Sequence, residues 1–175
     1  MSPLLLLLLA LAIPLALATP GSASGIQEDD SRVLGLSLAG FGVQGTVPSA
    51  LKYCRSTNIL DLSKNALEGP IPPALCDWLP YLVVLDLSGN RFSGPLPSEL
   101  ANCRYLNSLK LSHNNFSGQI PASLSRLERL KTLDLSENRL DGQIPPQLGA
   151  TFPKESFSGN PGLCGRPVSS YCGRD

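Results

Sequence analysis

The chain of 175 residues predicts a solenoid, mostly β, in which each coil adds one short strand to a curved parallel sheet on the concave face. Two observations carry this. Glycines recur at Gly45, Gly69, Gly94, Gly118 and Gly142, spaced 24, 25, 24 and 24 residues apart, and an aliphatic–proline pair follows each, from Val47-Pro48 to Ile144-Pro145. Ahead of each glycine runs an L-x-x-L-x-L frame, clearest at Leu82/Leu85/Leu87, Leu106/Leu109/Leu111 and Leu130/Leu133/Leu135, looser at Val33/Leu36/Leu38 and Thr57/Leu60/Leu62.

The chain starts with a segment read as lying outside the fold. Leu4 to Ala18 is an apolar run broken only by Pro14, too short to span a bilayer comfortably. Ala16-Leu17-Ala18 fits a small-residue cleavage site, with a second option near Ala23-Ser24, so residues 1–24 read as a signal peptide. Residues 25–32 form a short lead. The five repeats then occupy residues 33–150, and residues 151–175 close the array.

Each repeat position has a physical reading. In L-x-L both leucines face one side of a strand and the intervening residue the other. Strands stacked about 4.8 Å apart make a sheet only about 24 Å long. Asn65, Asn90, Asn114 and Asn138 fall three positions after the last strand leucine, where a buried amide can satisfy turning backbone that lacks helix or sheet partners. Val43, Leu67, Phe92, Phe116 and Leu140 close the core after the turn, and Leu51, Leu75, Leu100, Leu124 and Leu148 fill it from the convex side. Glycine permits the bend, and proline favours an extended segment. Helical periodicity is absent, so the convex side should consist of short turns or 3-10 segments.

Composition excludes several function classes. Fourteen basic residues balance fourteen acidic ones with no basic cluster, which leaves nucleic acid without an electrostatic foothold. His113 is the single histidine, and Asp134, the nearest carboxylate on a neighbouring strand, falls three residues out of register, roughly 10 Å away. No nucleophile–base pair can form, so no enzymatic activity and no cofactor are expected. Ligand clusters for a metal are absent as well. Of the five cysteines, Cys54 and Cys103 read as buried small hydrophobes two coils apart, too distant to bridge. Cys76 is open: it could pair with Cys54 on the adjacent coil.

Binding is what remains. The outward strand positions read Asp61, Asp86, Lys110, Asp134 in one column and Ser63, Ser88, Ser112, Ser136 in the next, flanked by Lys64, His113 and Glu137. This surface is small, mixed in charge and free of the Tyr, Trp and Arg anchors typical of hot spots. It reads either as a solvated face or as a protein-binding one, with Asp86, Lys110, His113, Asp134 and Glu137 as candidate contacts. Asn115-Phe116-Ser117 is the one N-x-[ST] acceptor, and Asn115 should point outward as a glycosylation site.

The G-x-[IVL]-P repeat over Val33 to Ala150 resembles the plant-specific class of leucine-rich repeats, so the fold implied is a leucine-rich-repeat solenoid, an α/β-type right-handed superhelix with a second short sheet at the aliphatic–proline segment. Phe157-Ser158-Gly159-Asn160-Pro161-Gly162-Leu163-Cys164-Gly165 followed by Cys172 looks like the C-terminal cap of plant receptor-kinase ectodomains. A Cys164–Cys172 bridge in that cap would be worth roughly 2–3 kcal/mol. Leu51-Lys52-Tyr53-Cys54, Ala74-Leu75-Cys76-Asp77-Trp78-Leu79-Pro80 and Leu163-Cys164-Gly165-Arg166-Pro167 resemble one subfamily, the receptor-like pseudokinases that bind and sequester SERK-type co-receptors.

That resemblance implies an extracellular protein-interaction module, secreted to the apoplast or held at the outer face of the plasma membrane. Its partner would be a co-receptor kinase ectodomain, met by the later coils and by Phe157 near the cap. The alternative is a secreted inhibitor of cell-wall-degrading enzymes, although that family has about twice as many coils. The family's N-terminal cap, with its cysteine pair and tryptophans, is not recognisable before Val33, and Phe41 stands where later coils carry the asparagine. With no membrane span or kinase motif before Asp175, the chain reads as a truncated receptor form, a free-standing secreted protein, or a non-functional splice product.

Overall fold

The computed structural model describes residues 26–29, 32–168 and 172–173; the signal peptide expected over residues 1–24 lies outside them. Strands are numbered in chain order and fall into two sheets. The concave sheet is built from β1 (Ile26–Asp29), β2 (Arg32–Ser37), β4 (Ile59–Asp61), β6 (Val84–Asp86), β8 (Ser108–Lys110) and β10 (Thr132–Asp134), in that order. From β2 onward the pairing is parallel and one coil per strand, with Leu36, Leu60, Leu85, Leu109 and Leu133 in register.

The second sheet runs beside the first: β3 (Gln44–Gly45), β5 (Ala66–Gly69), β7 (Arg91–Gly94), β9 (Asn115–Gln119), β11 (Arg139–Gln143) and β12 (Gly162–Cys164). It lies one step earlier than expected. Its strands end at or before Gln119 and Gln143, ahead of Ile120-Pro121 and Ile144-Pro145. Proline has no N–H to give a ladder, so pairing goes no further than the aliphatic residue before it, as where the Ile144 N–H donates to the Cys164 carbonyl at 3.0 Å.

The prolines instead launch the convex side. Pro48, Pro97 and Pro121 are extended, with φ of −75°, −69° and −61°, and precede the 3-10 turns Ser49–Tyr53, Ser98–Asn102 and Ala122–Arg126. Two coils depart into true α-helix, α1 (Leu75–Trp78) and α2 (Pro146–Thr151). The first of these falls in the coil with the extra residue.

One core runs the length of the stack. It comprises the strand leucines, the convex leucines and three fully buried rings, Phe92, Phe116 and Phe157. Phe92 and Phe116 lie almost parallel, with centroids 6.1 Å apart. Burial of Phe157 corrects the expectation that it meets a partner: its ring plugs the end of the solenoid and is not available at the surface.

Asparagines stitch the coils. The Oδ1 atoms of Asn65, Asn90, Asn114 and Asn138 accept from the backbone N–H groups of Val43, Leu67, Phe92 and Phe116, each one coil earlier, at 2.9–3.1 Å. Their Nδ2 atoms donate to the strand-end leucine carbonyls of both coils; Asn114, for example, reaches Leu87 at 3.0 Å and Leu111 at 3.1 Å. A further rung is Asn160, which accepts from the Leu140 N–H and donates to the carbonyls of Leu135 and Phe157. The cap segment therefore behaves as another coil, and Ser156 and Ser158 carbonyls accept from Leu135 and Glu137. This arrangement also explains Phe41. A ladder asparagine serves the coil before it, and Asn65 already serves the first coil.

The lead before the first coil forms β1, which pairs antiparallel with β2 and so occupies the open edge of the concave sheet.

Candidate functional site

Along the concave sheet the residues flanking each central leucine face outward. One column is Asp61, Asp86, Lys110 and Asp134. Sequence reading missed the other: Ile59, Val84, Ser108 and Thr132, apolar in the early coils and polar in the late ones. Ile59 is 38% exposed, as is Phe41 at the same end. The L-x-x-L-x-L frame contained this signal, because the residue before the central leucine alternates outward just as the one after it does.

The aspartates of the first column have internal work. Asp61, Asp86 and Asp134 each accept through Oδ1 from the backbone N–H two residues on, at 3.0–3.1 Å, closing the turn after the strand. Ser88 and Ser136 hydroxyls donate to the same oxygens at 2.6 Å. Lys110 cannot accept, and its Nζ lies 3.5 Å from Asp86 Oδ2 across the strands. The second carboxylate oxygen of Asp86 thus pairs with the lysine, and Asp134 follows in register on the next strand. The serine column is a correction: Ser63 and Ser112 are buried, and Ser88 and Ser136 half-buried. Strand alternation has already ended at these positions, where the chain is turning inward.

Lys64, His113 and Glu137 are exposed and hold left-handed backbone, φ 54–56°, each immediately before its ladder asparagine. Their N–H groups donate to serine carbonyls of the next coil. The register sets Asp134 opposite Lys110, so His113 lies three residues beyond it along the chain. The Glu137 carboxylate occupies the space above Gly159, where an added Cβ would collide with it, so it faces the cap. Among the described residues no group of three or more His, Cys, Asp or Glu side chains comes together as a metal site.

The cysteines differ from expectation at one bridge. Cys76 pairs with Cys103, Cα atoms 5.0 Å apart, tying the second coil to the third. Cys103 is buried, but as half of a disulfide and not as a lone hydrophobe; the Cys54–Cys76 alternative does not form. The physical reason is α1: the extra residue winds a helical turn that carries Cys76 toward the following coil instead of the preceding one. Cys54 remains a buried thiol, and burial raises its pKa. Cys164 and Cys172 are bonded in the cap. Asn115 sits half-buried in β9, on the flank between the concave strand and the convex turn.

Comparison with known proteins places this geometry. The Leucine Rich Repeat family pattern matches residues 56–78, 81–103, 105–127 and 129–150. The chain is 65% identical over 147 residues to the inactive LRR receptor-like serine/threonine-protein kinase BIR2 of Arabidopsis thaliana, covering 83% of this chain and 24% of that protein. It is 62% identical over 146 residues to the probable inactive receptor kinase At1g27190 of the same plant, again covering 24% of the relative. The chain thus spans about a quarter of the length of these kinases. Superposed on the BIR2 ectodomain crystal structure it gives a TM-score of 0.82 and 46% identity, covering 85% of this chain and 80% of that one. On a chain of the Arabidopsis BIR3–SERK2 complex the TM-score is 0.85 at 43% identity, covering 97% and 99%. Among the described residues no helix is long and apolar enough to cross a membrane. The chain belongs to the leucine-rich-repeat family and is homologous to the ectodomain region of inactive receptor kinases of the BIR2 type.

Proposed function

We propose that this chain is a non-catalytic extracellular interaction module that binds the ectodomain of a SERK-type co-receptor kinase and limits its availability to other receptors. The observation that carries the reading is the match to a chain of the BIR3–SERK2 complex over nearly the whole length of both. Partner contact falls on the concave face, through Asp86, Lys110 and Asp134, with His113 and Glu137 at its margin. His113 and Glu137 are exposed, and Asp86, Lys110 and Asp134 are half-buried on the concave strands. The exposed Ile59 and Phe41 extend the same face toward its early end. An N-linked glycan on Asn115 would clothe the adjacent flank and leave the concave face open. The inhibitor reading is not favoured, since the relatives are receptor kinases.

The test is direct. The secreted chain, mixed with a SERK2-type ectodomain at apoplastic pH, should co-elute with it in size-exclusion chromatography. Separate elution of two folded proteins would reject the reading.

A further inference from the structure

All three described tyrosines and the single tryptophan of the chain lie on one flank: Tyr53 and Trp78 close their convex turns, and Tyr81 and Tyr105 lie in the segments that lead from such turns into the concave strands. Tyr53, Trp78, Asn102 and Arg126 occupy equivalent positions in successive coils, as do Tyr81, Tyr105 and Arg129. Tyr53, Tyr81 and Tyr105 are 53%, 58% and 44% exposed, an unusual placement for three rings in a chain whose phenylalanines are mostly buried. Tyr81 and Tyr105 meet with centroids 6.1 Å apart, and the Arg129 guanidinium lies 5.3 Å from the Tyr105 centroid. Two shallow grooves open on this flank, one of them against the Tyr105 ring, and share Arg104 and Asn102. One is bordered by Arg55, Asp77 and Tyr105, the other by Arg126, Glu128 and Arg129. Four arginines thus stand against two carboxylates on this flank, although the whole chain carries no formal net charge.

Tyrosine, tryptophan and arginine are the side chains that anchor protein interfaces, and the concave face largely lacks them. We infer that this flank is a second docking surface, distinct from the concave face, for an extended acidic segment of a partner protein. Carboxylates of the segment pair with Arg104 and Arg129, whose planar forks bind them in two-pronged fashion. Its apolar stems and backbone lie on the Tyr81 and Tyr105 rings. The three coils from Tyr81 to Arg129 span about 10 Å, the length of roughly three extended residues. Among the described residues the opposite flank, which bears the Asn115 sequon, carries no such row of tyrosines.

The experiment uses a fluorescein-labelled decapeptide of alternating Glu and Pro, which is extended and soluble, titrated into the secreted chain and read by anisotropy. Saturable binding is expected, weakened at least tenfold in R104E/R129E and in Tyr105→Ala, with circular dichroism unchanged because all three side chains are exposed. The matching Lys-Pro peptide should not bind. Equal affinity in the charge-reversed variant, or no binding by folded wild type, overturns the inference. Binding of an oligogalacturonate while the Glu-Pro peptide stays silent overturns it too, because the surface then takes an acidic polysaccharide. Saturating peptide should leave co-receptor titration unaffected, and competition between them would contradict two separate surfaces. The peptide arm reads out whether or not the co-receptor binds.

Discussion

The Oδ1 of Asn114 accepts from the backbone N–H of Phe92 at 3.0 Å, although the two residues are 22 apart in sequence and in different coils. The same side chain donates to Leu87, Leu111 and Ser112 carbonyls, so one amide satisfies main-chain groups of two coils. Replacing it by leucine strands several buried polar groups, each at about 1–3 kcal/mol. Asn114→Leu should lower stability by about 3 kcal/mol or more, a fall of roughly 6–12 °C in melting temperature for a chain this size. Asn115→Ala, one residue on and outside the ladder, should change it by less than about 0.5 kcal/mol. Equal melting temperatures for wild type and Asn114→Leu would refute the ladder's structural role.

The Cys76–Cys103 bridge closes a loop of 27 residues across two coils. In the chain-entropy account such a loop restricts the unfolded state by about 3.5 kcal/mol. Cys76→Ser/Cys103→Ser should lose stability on about that scale in urea titrations. Peptide mapping without reduction should recover Cys76 linked to Cys103 and Cys54 alone; a Cys54–Cys76 peptide would contradict the pairing.

Cys54 makes stability depend on alkaline pH. Burial holds its folded pKa above the ordinary thiol value of 9.0, so the unfolded chain ionises first. The contribution is therefore complete below that value and is lost as pH rises toward the folded pKa, with a slope of at most about 1.4 kcal/mol per pH unit. Above pH 9 the wild type should lose stability faster than Cys54→Val. Parallel pH profiles for the two would show that the thiol is not held in its neutral form.

Left-handed backbone precedes every ladder asparagine, taken up by Gly89 and Gly159 in two coils and by Lys64, His113 and Glu137 in the others. A side chain there costs about 1 kcal/mol. Gly89→Ala should destabilise by about that amount, since its new Cβ meets only ordinary contacts near Lys64. His113→Gly should be neutral or stabilising by up to about 1 kcal/mol. Chemical denaturation of the two variants gives both signs, and a stabilising Gly89→Ala would contradict the assignment.

The periodic part of the molecule was legible because each repeat position has one physical job. Leu85, Asn90, Phe92 and Leu100 recur with their roles intact, so spacing alone predicts strand, ladder, turn and convex filler. The cap was harder. Phe157-Ser158-Gly159-Asn160 repeats the Leu135-Ser136-Glu137-Asn138 frame, yet phenylalanine in place of leucine and a shortened spacing hid the rung at Asn160 and the burial of Phe157. Cys76 was illegible because its direction depends on a one-residue insertion winding a helical turn, which the repeat frame cannot anticipate. The site was half legible. The charged column stood out, while the apolar column at Ile59 and Val84 and the Tyr81–Tyr105 flank did not. Both lie at variable positions, where nothing in the repeat marks a residue as chosen.

The central claim is that the concave face binds a co-receptor ectodomain, and Lys110 is its midpoint, poised 3.5 Å from Asp86 with Asp134 on the next strand. Lys110→Glu makes the column Asp61, Asp86, residue 110 and Asp134 acidic on four successive strands without touching the core, and mispaired interface charge weakens binding by about 1–3 kcal/mol. Isothermal titration of a SERK2-type ectodomain into wild type and Lys110→Glu tests this most directly. Saturable binding is expected of the wild type and an affinity roughly tenfold or more weaker of the variant, both measured at a temperature where circular dichroism shows them folded, since like charges on adjacent strands lower the variant's stability; identical affinities, or no heat of binding from the folded wild type, would contradict the concave-face assignment.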